Sequence, residues 1–216
     1  MIAKNNISIV IADDHPMLLK GLFEELTSNG YHVVGKAKNG SEALELILKL
    51  KPTLAILDID MPLLTGFEVV KITKAKNIAT KFILQSFHKE KEYILRAKSL
   101  EIQGYLLKED SFSEIECCIK SVLENKNYFS KSLSNVLLHN VAQELQKLKL
   151  LSPSEGIILK LIAQQESTIS IAQSLSVSKR TIEKHRSNII NKLNLNGEVN
   201  SLTSWAINNK DIILLL

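Results

Sequence analysis

The sequence has little of what staples, anchors or exports a chain. Only two cysteines occur in 216 residues, the adjacent pair Cys117 and Cys118. Neighbouring residues rarely reach good disulfide geometry, so a stapled secreted scaffold is excluded. No apolar run approaches the ~20 residues that a membrane span needs. A charged start followed by an apolar run and a small-residue cleavage site is also missing. The expectation is a soluble, cytoplasmic protein with no membrane partner. There is no internal repeat and no low-complexity tract. With 45% apolar and 23% charged residues, the chain can bury a substantial core, as one large domain or two small ones.

Charge is unevenly placed. Residues 1–130 hold seventeen basic and seventeen acidic side chains, whereas residues 131–216 hold ten and six. The whole formal +4 therefore sits in the C-terminal part, where a polyanionic partner is expected.

From residue 6 to about 125, short β-rich apolar runs alternate with segments of helical period, the pattern of a parallel sheet covered by helices on both faces. Strands are predicted at Ile7–Ala12, His32–Ala37, Leu54–Leu57, Phe82–Gln85 and Gly104–Leu107. Helices fit Pro16–Ser28, Ser41–Leu50, Phe67–Lys74, Glu90–Ser99 and Ser111–Glu124. Pro16 suits a first helical turn, and Ser111 with Glu114 reads as a capping box. After Tyr128 the strand signal stops. Lys131–Lys149 reads as a linker helix, and helices follow from Ser152-Pro153, at Ile169–Leu175, Lys179–Leu193 and Val199–Asn208. The expected organisation is a first domain over 1–128, a connector over 129–150 and a smaller all-α domain over 151–216.

The predicted strand ends carry a notable set of residues. Strand one ends in Asp13 and Asp14, strand three in Asp58, strand four in Ser86 and strand five in Lys108. In an open parallel sheet these ends converge where the strand order reverses. Three carboxylates brought together repel, and a hard cation such as Mg²⁺ neutralises them through oxygen ligands. A carboxylate beside a metal and a lysine can accept a phosphoryl group, and a serine hydroxyl nearby can sense its arrival.

Ile11-Ala12-Asp13-Asp14-His15-Pro16, Leu57-Asp58-Ile59-Asp60-Met61-Pro62, Gln85-Ser86-Phe87-His88 and Gly104-Tyr105-Leu106-Leu107-Lys108 resemble the receiver domain of two-component response regulators. The resemblance implies a flavodoxin-like, doubly wound, five-stranded parallel sheet. It makes Asp58 the phosphoacceptor and Asp14 and Asp58 direct Mg²⁺ ligands, with Asp13 acting through water and Asp60 through its backbone carbonyl. Ser86 is then the switch hydroxyl, Tyr105 the aromatic switch and Lys108 the partner of the acyl phosphate. Thr65 stands where Asp or Asn is commoner, yet it can still cap the next helix. Glu109 and Asp110 add local negative charge after Lys108. His15 and His88 are read as rim residues.

In the second domain, Ile171–Ser178 followed by Lys179-Arg180-Thr181-Ile182 has the form of a short helix, a turn and a second helix capped by Ser178. Ile182, His185, Ile189 and Leu193 recur at helical steps and form the packed face. Lys179, Arg180, Glu183, Lys184, Arg186, Ser187 and Lys192 occupy the other positions, on an element that fits the DNA major groove. Together with Leu151–Glu155 and Leu161–Gln164, the segment is similar to the LuxR-type helix-turn-helix, and the whole chain resembles the NarL/FixJ subfamily. That resemblance puts Lys184 and Ser187 near bases, and Lys179, Arg180, Arg186 and Lys192 near phosphates. By the same resemblance, Glu183 either accepts from cytosine N4 or limits nonspecific attraction. Gln165 replaces a usual glycine, so either a positive φ or a different turn is expected there. Trp205 is a candidate for either a dimer face or the domain core, and the apolar run Ile212–Leu216 is expected to pack somewhere.

These features imply a transcriptional regulator phosphorylated on Asp58 with Mg²⁺ by a sensor histidine kinase, binding double-stranded DNA and dimerising when active. Two rivals stand beside it. One is a DNA-binding regulator whose receiver-like domain only dimerises. The other is a Mg²⁺-dependent phosphatase, suggested by the Asp58-Ile59-Asp60 spacing of haloacid dehalogenase-type enzymes, which leaves the second domain without a task.

Overall fold

The computed structural model describes residues 4–195 and 200–214. They form two compact units, one ending at Ser134 and the other starting at Asn135.

The first unit alternates strands and helices in the order β1 (Ser8–Ala12), α1 (Pro16–Ser28), β2 (His32–Ala37), α2 (Gly40–Leu50), β3 (Leu54–Asp58), α3 (Gly66–Ala75), β4 (Lys81–Ser86), α4 (Lys91–Ser99), β5 (Gly104–Leu107), α5 (Phe112–Leu123) and β6 (Tyr128–Phe129). All strand pairs are parallel, in the order β2-β1-β3-β4-β5-β6. The order reverses beside β1 and β3, where flavodoxin-like sheets bind ligands. Every residue of β3 is buried, as a strand covered on both faces requires, which explains its unbroken Leu-Ala-Ile-Leu run. One core cluster joins Ile9, Ile11, Leu54 and Ile56 to Leu26 of α1 and Ile119 and Val122 of α5. Each such side chain contributes about 1.5–3 kcal/mol by leaving water.

Six strands replace the expected five. The extra one, β6, is only two residues long and carries no periodicity to read. It forms because the Tyr128 amide donates to Gln103 O and the Ser130 amide to Tyr105 O, both at 2.8 Å. The Ser111–Glu114 capping box does not form. Ser111 makes no side-chain cap, and Glu114 instead accepts from the Tyr128 hydroxyl (2.7 Å) and the Lys131 amide (3.0 Å). Tertiary donors have outcompeted the local one.

Two glycines position the loop that follows β3. A Cβ on Gly66 would lie 2.3 Å from the Asp58 carbonyl oxygen, and one on Gly40 would lie 1.8 Å from that of Leu64. Thr65 caps α3 in a complete capping box with Glu68, as its sequence position allows.

The second unit is helical throughout its described residues: α6 (Asn135–Lys149), α7 (Pro153–Ala163), α8 (Thr168–Ser174), α9 (Lys179–Leu193), α10 (Ser201–Asn208) and α11 (Lys210–Ile213). Ser152 and Glu155 form a capping box on α7, Ser167 caps α8 and Ser178 caps α9. Gln165 does adopt a positive φ, 66°. Helix α6, read as a connector, buries Val141 and Leu148 and packs on α9. Ile213 of the terminal apolar run is fully buried. Val199, Leu215, Leu216 and the side chain of Ile212 lie outside the described residues. No helix among the described residues is long and apolar enough to cross a membrane.

Candidate functional site

Strand register builds the first site. Ala12 of β1 pairs with Leu57 of β3, so the next residues along, Asp13 and Asp58, leave the sheet side by side. Ser86 of β4 pairs with Leu107 of β5, and the Lys108 amide donates to Ser86 O at 2.8 Å. The lysine side chain, 4% exposed, then crosses back over the sheet end. Its ammonium lies 2.8 Å from Asp58 Oδ2 and 3.0 Å from Asp13 Oδ2.

Ligand atoms of Asp13, Asp14, His15 and Asp58 all fall within 4.8 Å of one another. His15, read as a rim residue, is exposed, but its Nδ1 reaches Asp14 Oδ1 at 2.9 Å and Asp13 Oδ1 at 3.2 Å. The side chain of Asp60 turns away from this cluster and meets His88 Nε2 at 2.7 Å.

One lysine does not satisfy this much negative charge. Burial pushes the Asp58 carboxyl up to about 6, against the pull of Lys108 and with Asp13 adding repulsion. Burial opposes the charge on Lys108 too, but Asp58 and Asp13 outweigh it and hold the ammonium above its usual range. Asp14 Oδ1 and Asp58 Oδ2 are buried, and each has only its ion pair, with His15 and Lys108 respectively, and no further hydrogen bond. Clustered carboxylate oxygens with more negative charge than one lysine neutralises are the donor set that a hard divalent cation takes, so these residues fit such an ion.

Ser86, 1% exposed, stands at the end of β4, where its Oγ accepts from the His88 amide at 3.1 Å. The ring of Tyr105 is fully buried and its hydroxyl donates to His88 O at 2.9 Å. Burial raises the Tyr105 pKa, so this hydroxyl keeps its proton. His88 also stacks on Tyr93 of α4, with centroids 3.8 Å apart. Sequence reading singled out Ser86 and Tyr105 but not this backbone node between them, because the histidine acts largely through its main chain. The acids after Lys108 are already engaged. Glu109 pairs with Lys89 at 2.6 Å, and Asp110 accepts from the Leu107 amide and the hydroxyls of Ser130 and Ser132.

A second candidate site is the outer face of α9. Ile182, Ile189 and Leu193 are buried, His185 is half-buried, and Lys179, Arg180, Glu183, Lys184 and Ser187 are exposed on the opposite side. Lys179 and Glu183 approach to 3.6 Å. Asn191 is also exposed on this helix, one turn beyond Ser187. The other two expected contacts are engaged within the unit. Arg186 donates to Thr203 Oγ1 at 3.0 Å, and Lys192 pairs at 2.7 Å with Glu155, itself 3% exposed. Trp205 is half-buried in α10.

Comparison with known proteins divides the chain in the same way. Residues 9–120 match the response regulator receiver domain family, and residues 149–204 match the luxR family of bacterial regulatory proteins. A putative transcriptional regulator of Pseudomonas aeruginosa is 32% identical over 190 residues, covering 86% of this chain and 90% of that one. The transcriptional regulatory protein DesR of Bacillus subtilis is 31% identical over 198 residues, covering 91% and 95%. Among solved structures, the signal receiver domain of the putative response regulator NarL from Mycobacterium tuberculosis superposes with a TM-score of 0.53 at 31% identity, over 56% of this chain and 98% of that one.

Proposed function

The chain belongs to the response regulators that join a receiver domain to a luxR-type DNA-binding domain, and from that premise we propose that Asp58 is its phosphoacceptor. The observation that carries this reading is the Lys108 ammonium seated between Asp58 and Asp13 within a cluster of Asp13, Asp14 and Asp58 carboxylates. An oxygen of Asp58 forms the new bond to phosphorus as the donor's bond to its imidazole or acyl leaving group breaks. The donor is a sensor histidine kinase or a small acyl phosphate.

Asp13, Asp14 and Asp58, with the backbone carbonyl of Asp60, would hold Mg²⁺, which when bound supplies charge neutralisation for the transferring oxygens. Lys108 pairs with the oxygens of the incoming group. Ser86 gives up its bond from the His88 amide to meet the phosphoryl, and Tyr105, held on His88 O, moves with that loop. In this reading the protein is a phosphoacceptor regulator that catalyses its own phosphoryl transfer and dephosphorylation.

The output is binding of double-stranded DNA by α9, as a homodimer when active. Lys184 and Ser187 approach bases, Lys179 and Arg180 approach phosphates, and Glu183 meets cytosine N4. Arg186 and Lys192 reach DNA only if they leave Thr203 and Glu155.

The test is incubation with acetyl phosphate and Mg²⁺. Wild type gains the mass of one phosphoryl group and Asp58→Asn gains none. Equal labelling of both proteins, or no labelling of either, would sink the acceptor assignment. Retained DNA binding without labelling would favour a receiver that only dimerises.

A further inference from the structure

The sixth strand is where the switch and the exit from the receiver meet. Tyr105 pairs with Phe129 across β5 and β6, and their rings lie 6.2 Å apart at 11°. The ammonium of Lys98 stands 4.9 Å from the Phe129 ring. Beyond the strand, Asp110 holds the hydroxyls of Ser130 (2.9 Å) and Ser132 (3.1 Å). Glu114 holds the Tyr128 hydroxyl and the Lys131 amide and ammonium. Ser130 and Leu133 are buried. Only Ser134 separates this fastened segment from Asn135, the first residue of α6.

Tyr105 and the turn that follows Lys108 both touch the segment directly. Tyr105 does so through its ring and its carbonyl, which accepts from the Ser130 amide. Asp110 lies two residues beyond Lys108, and its other oxygen accepts from the Leu107 amide. A two-residue strand has few ladder bonds of its own, so its attachment depends on these side chains.

We infer that residues 128–133 are a releasable strap, with Phe129 the positioning residue through which Tyr105 controls the tether to the DNA-binding unit. This rests on the phosphoacceptor reading above. When Ser86 turns toward the phosphoryl group, the loop carrying His88 O moves. The Tyr105 ring follows it away from Phe129, and the strap loses its stacking partner, so that its bond to Tyr105 O is left to hold it and breaks as the strap detaches. Release frees residues 128–133 as a tether of six residues, about 20 Å when extended. The two-state element is the attached or detached strap, and phosphorylation biases it through Tyr105.

The test uses the full chain with Mg²⁺ and beryllofluoride as a phosphoryl mimic, reading three quantities. These are mimic uptake, amide exchange over residues 128–133, and affinity for a DNA duplex selected from a random pool. In wild type the mimic should speed exchange of the strap about tenfold and tighten DNA binding. Phe129→Ala should show fast strap exchange and the tighter DNA affinity already without mimic, with uptake within twofold of wild type. Phe129→Tyr keeps the ring and should restore mimic-dependent control, which a lesion of folding alone would not.

Unchanged strap exchange in mimic-bound wild type would overturn the proposal, as would full mimic-dependence of DNA binding in Phe129→Ala. So would weaker DNA binding by Phe129→Ala in both states. Failure of wild type to take up mimic at all would instead remove the acceptor reading beneath it, and the uptake measurement separates the two.

Discussion

Asp58 in the first unit and Glu155 in the second are each only 3% exposed, but Asp58 lies much deeper, and burial prevails there and loses at Glu155. At Asp58 deep burial pushes the carboxyl up to about 6 against the pull of Lys108, which is shared with Asp13, and that second acid adds a smaller repulsion. At Glu155 burial also opposes the charge. There the undivided Lys192 ammonium and the Ser152 amide, each at 2.7 Å, together with the Ser152 hydroxyl bond, hold the carboxyl below its usual range. The receiver thus keeps a carboxylate that its own donors leave short of positive charge, which a cation and then a phosphoryl group can exploit. The DNA-binding unit satisfies its buried acid and spends it on structure.

The largest effect should come from breaking the satisfied pair. Lys192→Ala leaves Glu155 buried without its cation and should cost the second unit about 2–3 kcal/mol. Trp205 is the only tryptophan in the chain and lies in that unit, so its fluorescence during urea unfolding isolates the loss. Uniformly weaker DNA binding with an unaltered unfolding curve would place Lys192 on phosphate instead and erase the contrast.

Removing the unsatisfied charge should act in the opposite direction. Asp58→Asn should stabilise the metal-free first unit by on the order of 2 kcal/mol, measured by tyrosine fluorescence and circular dichroism. Mg²⁺ should then reverse the ranking. At a hundredfold excess over its Kd it adds about 2.7 kcal/mol to wild type and little to the variant. A variant less stable than metal-free wild type would show that Asp58 is held as comfortably as Glu155.

The pH dependences separate in sign by the same logic. The folded-state pKa of Asp58 lies above its unfolded value, so its contribution is fully present in acid and is lost as pH rises through about 6. Acidifying from pH 7 to 5 without Mg²⁺ should therefore stabilise the first unit by about 1 kcal/mol. Glu155 has a depressed pKa, so its contribution is present above the usual carboxylate value and disappears only as pH falls below it. The tryptophan-reported transition should stay flat over the same interval. Parallel shifts of both transitions would refute the assignment.

What the sequence made legible follows this division too. Asp13, Asp58, Ser86 and Lys108 could be placed because alternating strands and helices put strand ends at one edge, and parallel register does the rest. The face of α9 was readable because helical period alone sorts Ile182, Ile189 and Leu193 from Arg180 and Lys184. The missed features depend on contacts between segments distant in sequence. β6 is too short to have a period. Glu114 looked like a local cap because Tyr128 and Lys131 reach it only after α5 has docked. Arg186 and Lys192 look like free cations on a helical wheel, which omits Thr203 and Glu155.

The smallest effects should belong to the exposed face of α9, and their form matters more than their size. A side chain there touches solvent before DNA arrives, so truncating it leaves no buried partner stranded, and distant contributions add. Arg180→Ala should lower affinity by less than about 1 kcal/mol at physiological salt and reduce the slope of log affinity against log salt by about 0.9, for every duplex alike. Lys184→Ala should alter the preferred sequence as well. If Arg180→Ala also changed sequence preference, or left the slope intact, the basic face would be selecting bases or lying off the DNA. The contrast between a preorganised buried site and an additive exposed one would then fail on its exposed side.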